Sequence, residues 1–281
     1  MRIALETICT RVTTRCNLTC NHCWSCSPSP PLDLDPASLV AFLDSLKALG
    51  LRHVSVSGGE PTLYPQATLL IRQLLERGYD LSVTTNGTLP EDLADLLSTV
   101  SPAAASRLNI RVSVDGWKSL HEEIRGKGTF DATMASIAEV AAVIGHVSLN
   151  TVVFTNPIRV ADLVRALPTK SVHDWALLTP VERTPASKSI CVIDDILNNI
   201  DLWRRELSEL LPSTRVRVWD YLRHPNGGFV VEADGLLTMP GVHRDKDVIV
   251  GNIETTTPEI VQAHITRRLN ADPIAFFLLD T

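Results

Sequence analysis

Strand-like and helix-like segments alternate along most of the 281 residues, and this alternation constrains the fold more than any other feature. The segment "DPASLVAFLDSLKALG" predicts a helix that Asp35 caps, with Pro36 in its first turn and Gly50 at its end. About six such strand–helix units predict an α/β chain with a parallel sheet and helices outside it. Six units are too few for a closed eight-unit barrel, so we expect a partial barrel or an open doubly wound sheet.

One helix in this series carries a clear apolar face. The segment "FDATMASIAEVAAVIG" places Phe130, Met134, Ile137, Ala141 and Ile144 at helical spacing, which predicts a helix with an apolar face. After Pro180 the alternation changes to a long helix, from about residue 190 to 211, and then to short β segments with a final helix. This last part is predicted to form a small α+β appendage.

Composition excludes several classes of protein. The formal charge is −6 without a long basic run, which argues against a nucleic-acid-binding surface. No run is long enough for a membrane span, and the N-terminus lacks the apolar region of a signal peptide. We therefore expect a cytoplasmic protein with reduced thiols, in which the isolated Cys9 and Cys191 are buried apolar residues.

Four of the six cysteines lie in the stretch "RVTTRCNLTCNHCWSCSP", with the spacing C-x3-C-x2-C-x2-C. Thiols at this density bind soft metals. Structural zinc usually takes two separated cysteine pairs, and a ferredoxin-type run has its three-residue gap last rather than first. A third interpretation is a cluster that three cysteines hold, with one iron left open for a substrate or cofactor.

Polar and glycine-containing segments follow three of the predicted strands. They are "SGGEP", "TTNG" and "SVDG", each at the carboxyl end of its strand, where parallel sheets bind ligands. Taken singly, the glycines of the first segment and the Asn86-Gly87 pair of the second could also be plain turn signals.

Together with the cysteines, these segments resemble the radical S-adenosylmethionine (SAM) superfamily. The likeness covers roughly residues 1–180 well and the tail weakly. It implies a partial (β/α)6 TIM-like barrel over residues 1–212, with a cluster loop at 14–28, and a C-terminal extension over 213–281. It also implies a [4Fe–4S] cluster that Cys16, Cys20 and Cys23 ligate, with SAM on the fourth iron.

The same resemblance implies a set of SAM contacts. They are His22 beside the adenine, Gly58, Gly59, Glu60 and Pro61 around the methionine ammonium, Thr85 and Asn86 near SAM, Ser113 and Asp115 at the ribose, Arg125 at the carboxylate, and Asn150. Two of them have plain alternatives, because Asp115 could cap a loop and Arg125 could be a solvated surface charge.

The tail resembles the SPASM and twitch subgroup, whose auxiliary clusters need cysteines, but Pro240 stands where the first would be. No cysteine follows Cys191, which predicts a single cluster and a redox-neutral reaction such as epimerisation or rearrangement. An epimerase needs a hydrogen donor, and the thiols of Cys26 and Cys191 are the candidates.

The substrate is less constrained. The chain begins almost on the first predicted strand, which favours a small molecule, whereas "IRGKGTF" and the tail resemble peptide-modifying enzymes. We therefore expect specialised-metabolite tailoring on a peptide or a small molecule such as an aminoglycoside, nucleoside or cyclitol. The resemblance also implies an external electron donor, a flavodoxin or ferredoxin. The competing interpretation is a non-enzymatic iron–sulfur or zinc scaffold.

Overall fold

A computed structural model describes residues 5–23, 30–154, 160–181, 193–220, 228–241 and 247–271. Its strands are β1 (Thr7–Arg11), β2 (His53–Ser57), β3 (Asp80–Thr85), β4 (Leu108–Ser113), β5 (Val147–Val152), β6 (Val172–Leu178), β7 (Arg215–Trp219), β8 (Val230–Val231), β9 (Leu236–Met239) and β10 (Val248–Asn252). Its α-helices are α1 (Pro36–Leu46), α2 (Ala67–Glu76), α3 (Pro90–Ser98), α4 (Pro102–Ala105), α5 (Lys118–Arg125), α6 (Thr129–Ile144), α7 (Val160–Ala166), α8 (Ile193–Leu210) and α9 (Pro258–Ala271). Two short 3₁₀ helices cover Lys47–Leu49 and Pro61–Leu63.

The chain divides into two compact units. The first unit combines residues 1–16, 25–83 and 224–281, and the second combines 17–24 and 84–223. The predicted boundary between residues 212 and 213 follows the family domains rather than these units, and it stays a prediction.

In the first unit, β1 pairs in parallel with β2 on one side and with β8 on the other, and β2 pairs in parallel with β3. The strands β8, β9 and β10 continue the sheet as antiparallel neighbours. Helix α1 begins as predicted, because the carboxylate of Asp35 accepts a 2.7 Å hydrogen bond from the backbone N–H of Ser38.

In the second unit, β4, β5, β6 and β7 pair in sequence order and are all parallel. Strand β7 lies just beyond the predicted start of the appendage, yet it pairs with β6 and continues the parallel sheet. The predicted α/β class with a parallel sheet is thus confirmed. No helix in the described ranges is both long and apolar enough to cross a bilayer.

Helix α6 forms as predicted, but its buried face differs in part from its apolar face. Phe130 and Ile137 are buried, whereas Met134, Ala141 and Ile144 are only half-buried. Thr133 and Ser136 are turned inward instead: their hydroxyls donate to the backbone carbonyls of Asn86, at 3.0 Å, and Gly87, at 2.8 Å. These two hydrogen bonds to the turn after β3 decide which face of the helix is buried.

Candidate active site

The three predicted cluster ligands are half-buried thiols outside any disulfide. Cys16 ends the N-terminal segment of the first unit, and Cys20 and Cys23 belong to the second unit. A backbone hydrogen bond of 3.1 Å from the N–H of Cys23 to the carbonyl of Cys20 forms a tight turn between the second pair. No group of three or more His, Cys, Asp or Glu side chains in the described ranges is already arranged around a metal ion.

A buried cation interacts with two of these thiols. Burial opposes the charge of Arg125, but Asp115 and the thiols of Cys20 and Cys23 together raise its pKa. Cysteine sulfur is the usual ligand of iron–sulfur clusters, so the chemistry of Cys20 and Cys23 fits such a cluster.

The Arg125 guanidinium forms a buried ion pair with Asp115. The Nε of Arg125 donates to Oδ2 of Asp115 at 2.7 Å, and the Asp115 side chain is fully buried while that of Arg125 is 9% exposed. The other carboxylate oxygen of Asp115 accepts from the backbone N–H of Val152 at 2.9 Å. Burial opposes ionisation of Asp115, yet the Arg125 guanidinium and the neighbouring histidines lower its pKa to about 2. The pair stays ionised, and the surface-charge alternative for Arg125 is wrong.

Two histidines lie against this ion pair. The Nε2 of His22 lies 3.5 Å from Oδ2 of Asp115, and the His22 ring meets Phe154 edge-on with 5.5 Å between centroids. His121 is completely buried, and its Nδ1 accepts a 3.3 Å hydrogen bond from the backbone N–H of Asp115. Burial lowers the pKa of each histidine to about 4, so both rings are neutral at physiological pH.

The neutral histidines predict a stability that depends on pH. Because their pKa in the folded chain is about 4, below the usual value near 6.5, protons bind the unfolded chain more tightly. Their stabilisation is complete above about pH 6.5 and declines as the pH falls towards 4. We expect each histidine to lower the free energy of unfolding by about 2 kcal/mol between pH 7 and pH 5.

Urea unfolding at the two pH values measures this loss. The variant His121→Asn keeps an acceptor near the backbone N–H of Asp115 but does not titrate, so it should lose about 2 kcal/mol less than the wild type over the same range. Equal losses in both proteins would show that His121 is not held neutral by burial.

Asparagines tie the loop between the cysteines to neighbouring segments of the second unit. Asn17 donates to the hydroxyl of Thr88 at 2.9 Å and accepts from the side-chain amide of Asn86 at 3.0 Å. The backbone N–H of Asn21 donates to the carbonyl of Ile124 on α5 at 3.1 Å, and its side chain donates to the carbonyl of Glu123 at 3.3 Å. The turn after β3 and the end of α5 thus hold the segment that carries Cys20 and Cys23.

In the first unit, the two glycines of "SGGEP" are required by close backbone contact. The N–H of Gly59 donates to the carbonyl of Thr13, and that of Glu60 to the carbonyl of Arg15, both at 2.7 Å. A Cβ at Gly58 would overlap the carbonyl oxygen of Thr13, and one at Gly59 would lie 2.6 Å from the carbonyl carbon of Arg15. The glycines therefore let the loop after β2 lie directly on the backbone that leads to Cys16; their contact with SAM stays a prediction.

This contact predicts a large effect of Gly59→Ala. The methyl group would displace the carbonyl of Arg15, which precedes the first cluster ligand, so we expect a loss of about 3 kcal/mol in stability. Iron content after reconstitution should fall as well. In the control Gly145→Ala, no atom lies within 4 Å of the new methyl and only the positive φ is strained, so the cost should be about 1 kcal/mol with normal iron content. Similar values for the two variants would contradict the role of the close contact.

The remaining predicted contacts have local partners in the structure. The carboxylate of Glu60 is buried and accepts from the backbone N–H and the hydroxyl of Thr62, so it caps the 3₁₀ helix that Pro61 begins. The hydroxyl of Thr85 accepts from the N–H of Gly87 at 3.0 Å. Ser113 and Asn150 pair across β4 and β5 in parallel register. Their contacts with SAM stay predictions.

Cys26 and Cys191, the candidate hydrogen donors, lie outside the described residues. Sequence reasoning missed the asparagine contacts of the loop and the buried His121. The spacing of His121 and Arg125, one helical turn apart in "HEEIR", could have indicated that both project from the same side of α5.

A family model and two curated proteins match this chain in sequence. The family model "Radical SAM superfamily" matches residues 10–166. Mycofactocin maturase MftC of Mycobacterium tuberculosis is 29% identical over 134 residues, which are 47% of this chain and 33% of that protein. The GTP 3′,8-cyclase of Ectopseudomonas mendocina is 30% identical over 208 residues, 68% of this chain and 60% of that protein. The chain thus spans between a third and three fifths of these two curated relatives.

Solved structures show the same fold. SuiB of Streptococcus suis bound to S-adenosylmethionine has a TM-score of 0.71 at 15% identity, over 93% of this chain and 66% of that one. The protein anSMEcpe with bound AdoMet has a TM-score of 0.66 at 19% identity, over 92% of this chain and 82% of that one. These likenesses support the TIM-like partial barrel that the sequence predicts.

Proposed function

The chain belongs to the radical SAM superfamily, and we propose from this membership that it cleaves SAM reductively and abstracts hydrogen from a carbon of a peptide in natural-product biosynthesis. Proteins of this superfamily use a [4Fe–4S] cluster and SAM. The observation that carries the proposal is the match of the radical SAM family model to residues 10–166, a range that contains Cys16, Cys20 and Cys23. A three-cysteine set fits a cluster with an open iron better than a closed structural metal site.

A bound cluster and SAM would supply a 5′-deoxyadenosyl radical for hydrogen abstraction. Cys16, Cys20 and Cys23 would ligate the cluster. The asparagine contacts hold the segment that carries Cys20 and Cys23 against α5 and the turn after β3. The Asp115–Arg125 pair is fixed and nearly inaccessible to solvent, so it excludes water from this part of the second unit.

A peptide substrate has support from three of the similar proteins. SuiB has been solved with its precursor peptide SuiA, anSMEcpe with bound peptides, and MftC is named as a maturase. The "IRGKGTF" segment of this chain resembles the same peptide-modifying branch. The substrate class is therefore proposed as peptide rather than aminoglycoside, nucleoside or cyclitol.

The reaction is proposed to be redox-neutral, such as epimerisation or rearrangement. This rests on the sequence alone: residues 213–281 contain no cysteine, so this segment lacks the usual ligands of an auxiliary cluster that would accept an electron. Membership of the SPASM and twitch subgroup stays a prediction. Iron analysis of the reconstituted protein should give about four irons per chain, and about eight would contradict the single-cluster proposal.

The experiment that tests the function is a SAM-cleavage assay. The protein is reconstituted anaerobically with iron and sulfide, reduced with dithionite or a flavodoxin system, and supplied with SAM, and 5′-deoxyadenosine is quantified by liquid chromatography. We expect 5′-deoxyadenosine to form only when cluster and reductant are both present. A protein that binds a full cluster but forms none under strong reduction would favour the non-enzymatic scaffold.

A further inference from the structure

The second unit contains a cluster of charged and aromatic side chains to which the proposed function assigns no role. It comprises Arg111 on β4, Asp174 on β6, and Arg217 and Trp219 on β7. One oxygen of Asp174, Oδ1, accepts from NH1 of Arg111 at 2.9 Å and from NH2 of Arg217 at 2.8 Å. The two guanidinium carbons lie 5.4 and 5.5 Å from the centroid of the Trp219 ring. Two cations thus share one carboxylate oxygen beside an aromatic face.

Arg217 is the member of this cluster with unused hydrogen-bonding capacity. Its side chain is 14% exposed, compared with 4% for Arg111. Its Nε is buried and has no hydrogen-bond partner among the described residues. A buried N–H without an acceptor is costly, and an anionic acceptor would remove that cost.

The strand register places Arg217 at the level of the predicted SAM contacts. Ser113 pairs with Asn150, Asn150 with Ala176, and Ala176 with Arg217, so these residues form one row across four parallel strands. Because neighbouring strands lie about 4.8 Å apart, Arg217 is separated from Asn150 by roughly 10 Å along this row. Between them stands the small Ala176, which is completely buried.

A second contact connects the cluster to the same row. NH1 of Arg111 also donates to the side-chain oxygen of Asn150 at 3.1 Å. Arg111 is therefore fixed between Asp174 and Asn150, whereas Arg217 contacts Asp174 from the outer strand. This arrangement leaves Arg217 and the half-buried Trp219 as the side of the cluster that a ligand can reach.

We propose that Arg217 and Trp219 bind a carboxylate of the peptide substrate and so direct the peptide along β7 towards the SAM contacts. The guanidinium suits a carboxylate because it offers several N–H donors in a planar fork. Trp219 supplies an apolar face for the methylene or side chain beside the carboxylate. The carboxylate can belong to an Asp or Glu side chain or to the peptide C-terminus. This inference rests on the proposed peptide-modifying function.

The test measures peptide binding to the cluster-loaded protein in the presence of SAM. The probes are three fluorescein-labelled decapeptide libraries: one with Glu fixed at the central position and a C-terminal amide, one with Gln there and a C-terminal amide, and the same Gln library with a free C-terminal acid. Fluorescence anisotropy should show at least one acid library binding about tenfold tighter than its neutral match, as expected for a hydrogen bond to a charged group. The Glu–Gln and acid–amide comparisons identify which carboxylate is bound.

Variants of Arg217 show whether this residue causes the preference for carboxylate-containing peptides. Arg217→Gln should abolish the tenfold preference, and Arg217→Lys should restore part of it, because the charge remains but the fork is lost. The control Arg204→Gln, on the exposed side of α8 with a 53% exposed side chain, should leave the preference unchanged. Circular dichroism and thermal unfolding would show whether a variant has lost binding through unfolding.

The outcomes separate this inference from the proposed function. If the wild type forms 5′-deoxyadenosine but binds acid and neutral libraries equally, the carboxylate subsite is wrong and the function stands. The same conclusion follows if the preference survives in a folded Arg217→Gln. If no 5′-deoxyadenosine forms, the proposed function fails whatever the libraries bind.

Discussion

Replacing Cys20 with alanine is expected to abolish 5′-deoxyadenosine formation, lowering it by at least about 1,000-fold to the background of the assay. Cys20 is one of the three proposed ligands, and its thiol lies in the field of the buried Arg125 guanidinium. A cluster held by the two remaining cysteines would lose iron, so iron per chain should fall from about four to well below two. Liquid chromatography and iron analysis measure the two effects independently.

The matched control is Cys9→Ala. Cys9 lies on β1 in the first unit, outside the motif, and burial raises its pKa to about 11, so its thiol stays protonated. It was expected to be a buried apolar residue, but it is half-buried beside the charged pair of Arg11 and Glu232. Cys9→Ala should keep about four irons and normal activity. Full iron content in Cys20→Ala would show that another residue completes the ligand set.

Removing one member of the Asp115–Arg125 pair should destabilise the protein by about 3–5 kcal/mol. Both side chains are buried, so Arg125→Met leaves the Asp115 carboxylate in a non-aqueous site without its principal counter-charge. Asp115→Asn likewise leaves the buried Arg125 guanidinium without its principal counter-charge. Urea unfolding of the two single variants measures each loss.

The double variant Asp115→Asn/Arg125→Met distinguishes pairing from general packing. Because neither charge then remains, we expect it to be more stable than at least one of the single variants, with a coupling energy of about 2 kcal/mol or more. The control Lys118→Met removes an ion pair with Asp131 in which both partners are exposed, and it should cost less than about 1 kcal/mol. Additive losses in the double variant would contradict a buried, mutually dependent pair.

Much of the fold could be predicted because it depends on local signals. Asp35 and Pro36 begin α1 as their cap pattern indicates, and the strands that precede "SGGEP", "TTNG" and "SVDG" all form. The buried face of α6 could not be predicted from apolar spacing. Its inward Thr133 and Ser136 are explained only by two carbonyls in a turn about fifty residues earlier in the chain.

In the candidate site, too, local sequence predicted some features and long-range packing decided the others. Spacing within a short stretch indicated the three cysteines. The partner of Arg125 depends instead on how α5 lies against Asp115, in the segment after β4, and against the loop of residues 17–23. The glycines of "SGGEP" were predicted to lie around the methionine ammonium of SAM, and this stays a prediction; in the structure they approach the backbone of Thr13 and Arg15. The local sequence pattern predicts which residues belong to the candidate site, and long-range packing decides which groups these residues contact.

The central claim is that three thiols hold a cluster whose fourth iron is open to SAM. Electron–nuclear double resonance on the reduced, cluster-loaded protein with SAM labelled at its amino nitrogen and carboxylate tests this most directly. We expect hyperfine coupling of the cluster to the labelled nitrogen and oxygen in wild type and in Cys9→Ala. A full complement of about four irons with no coupling to labelled SAM would contradict it.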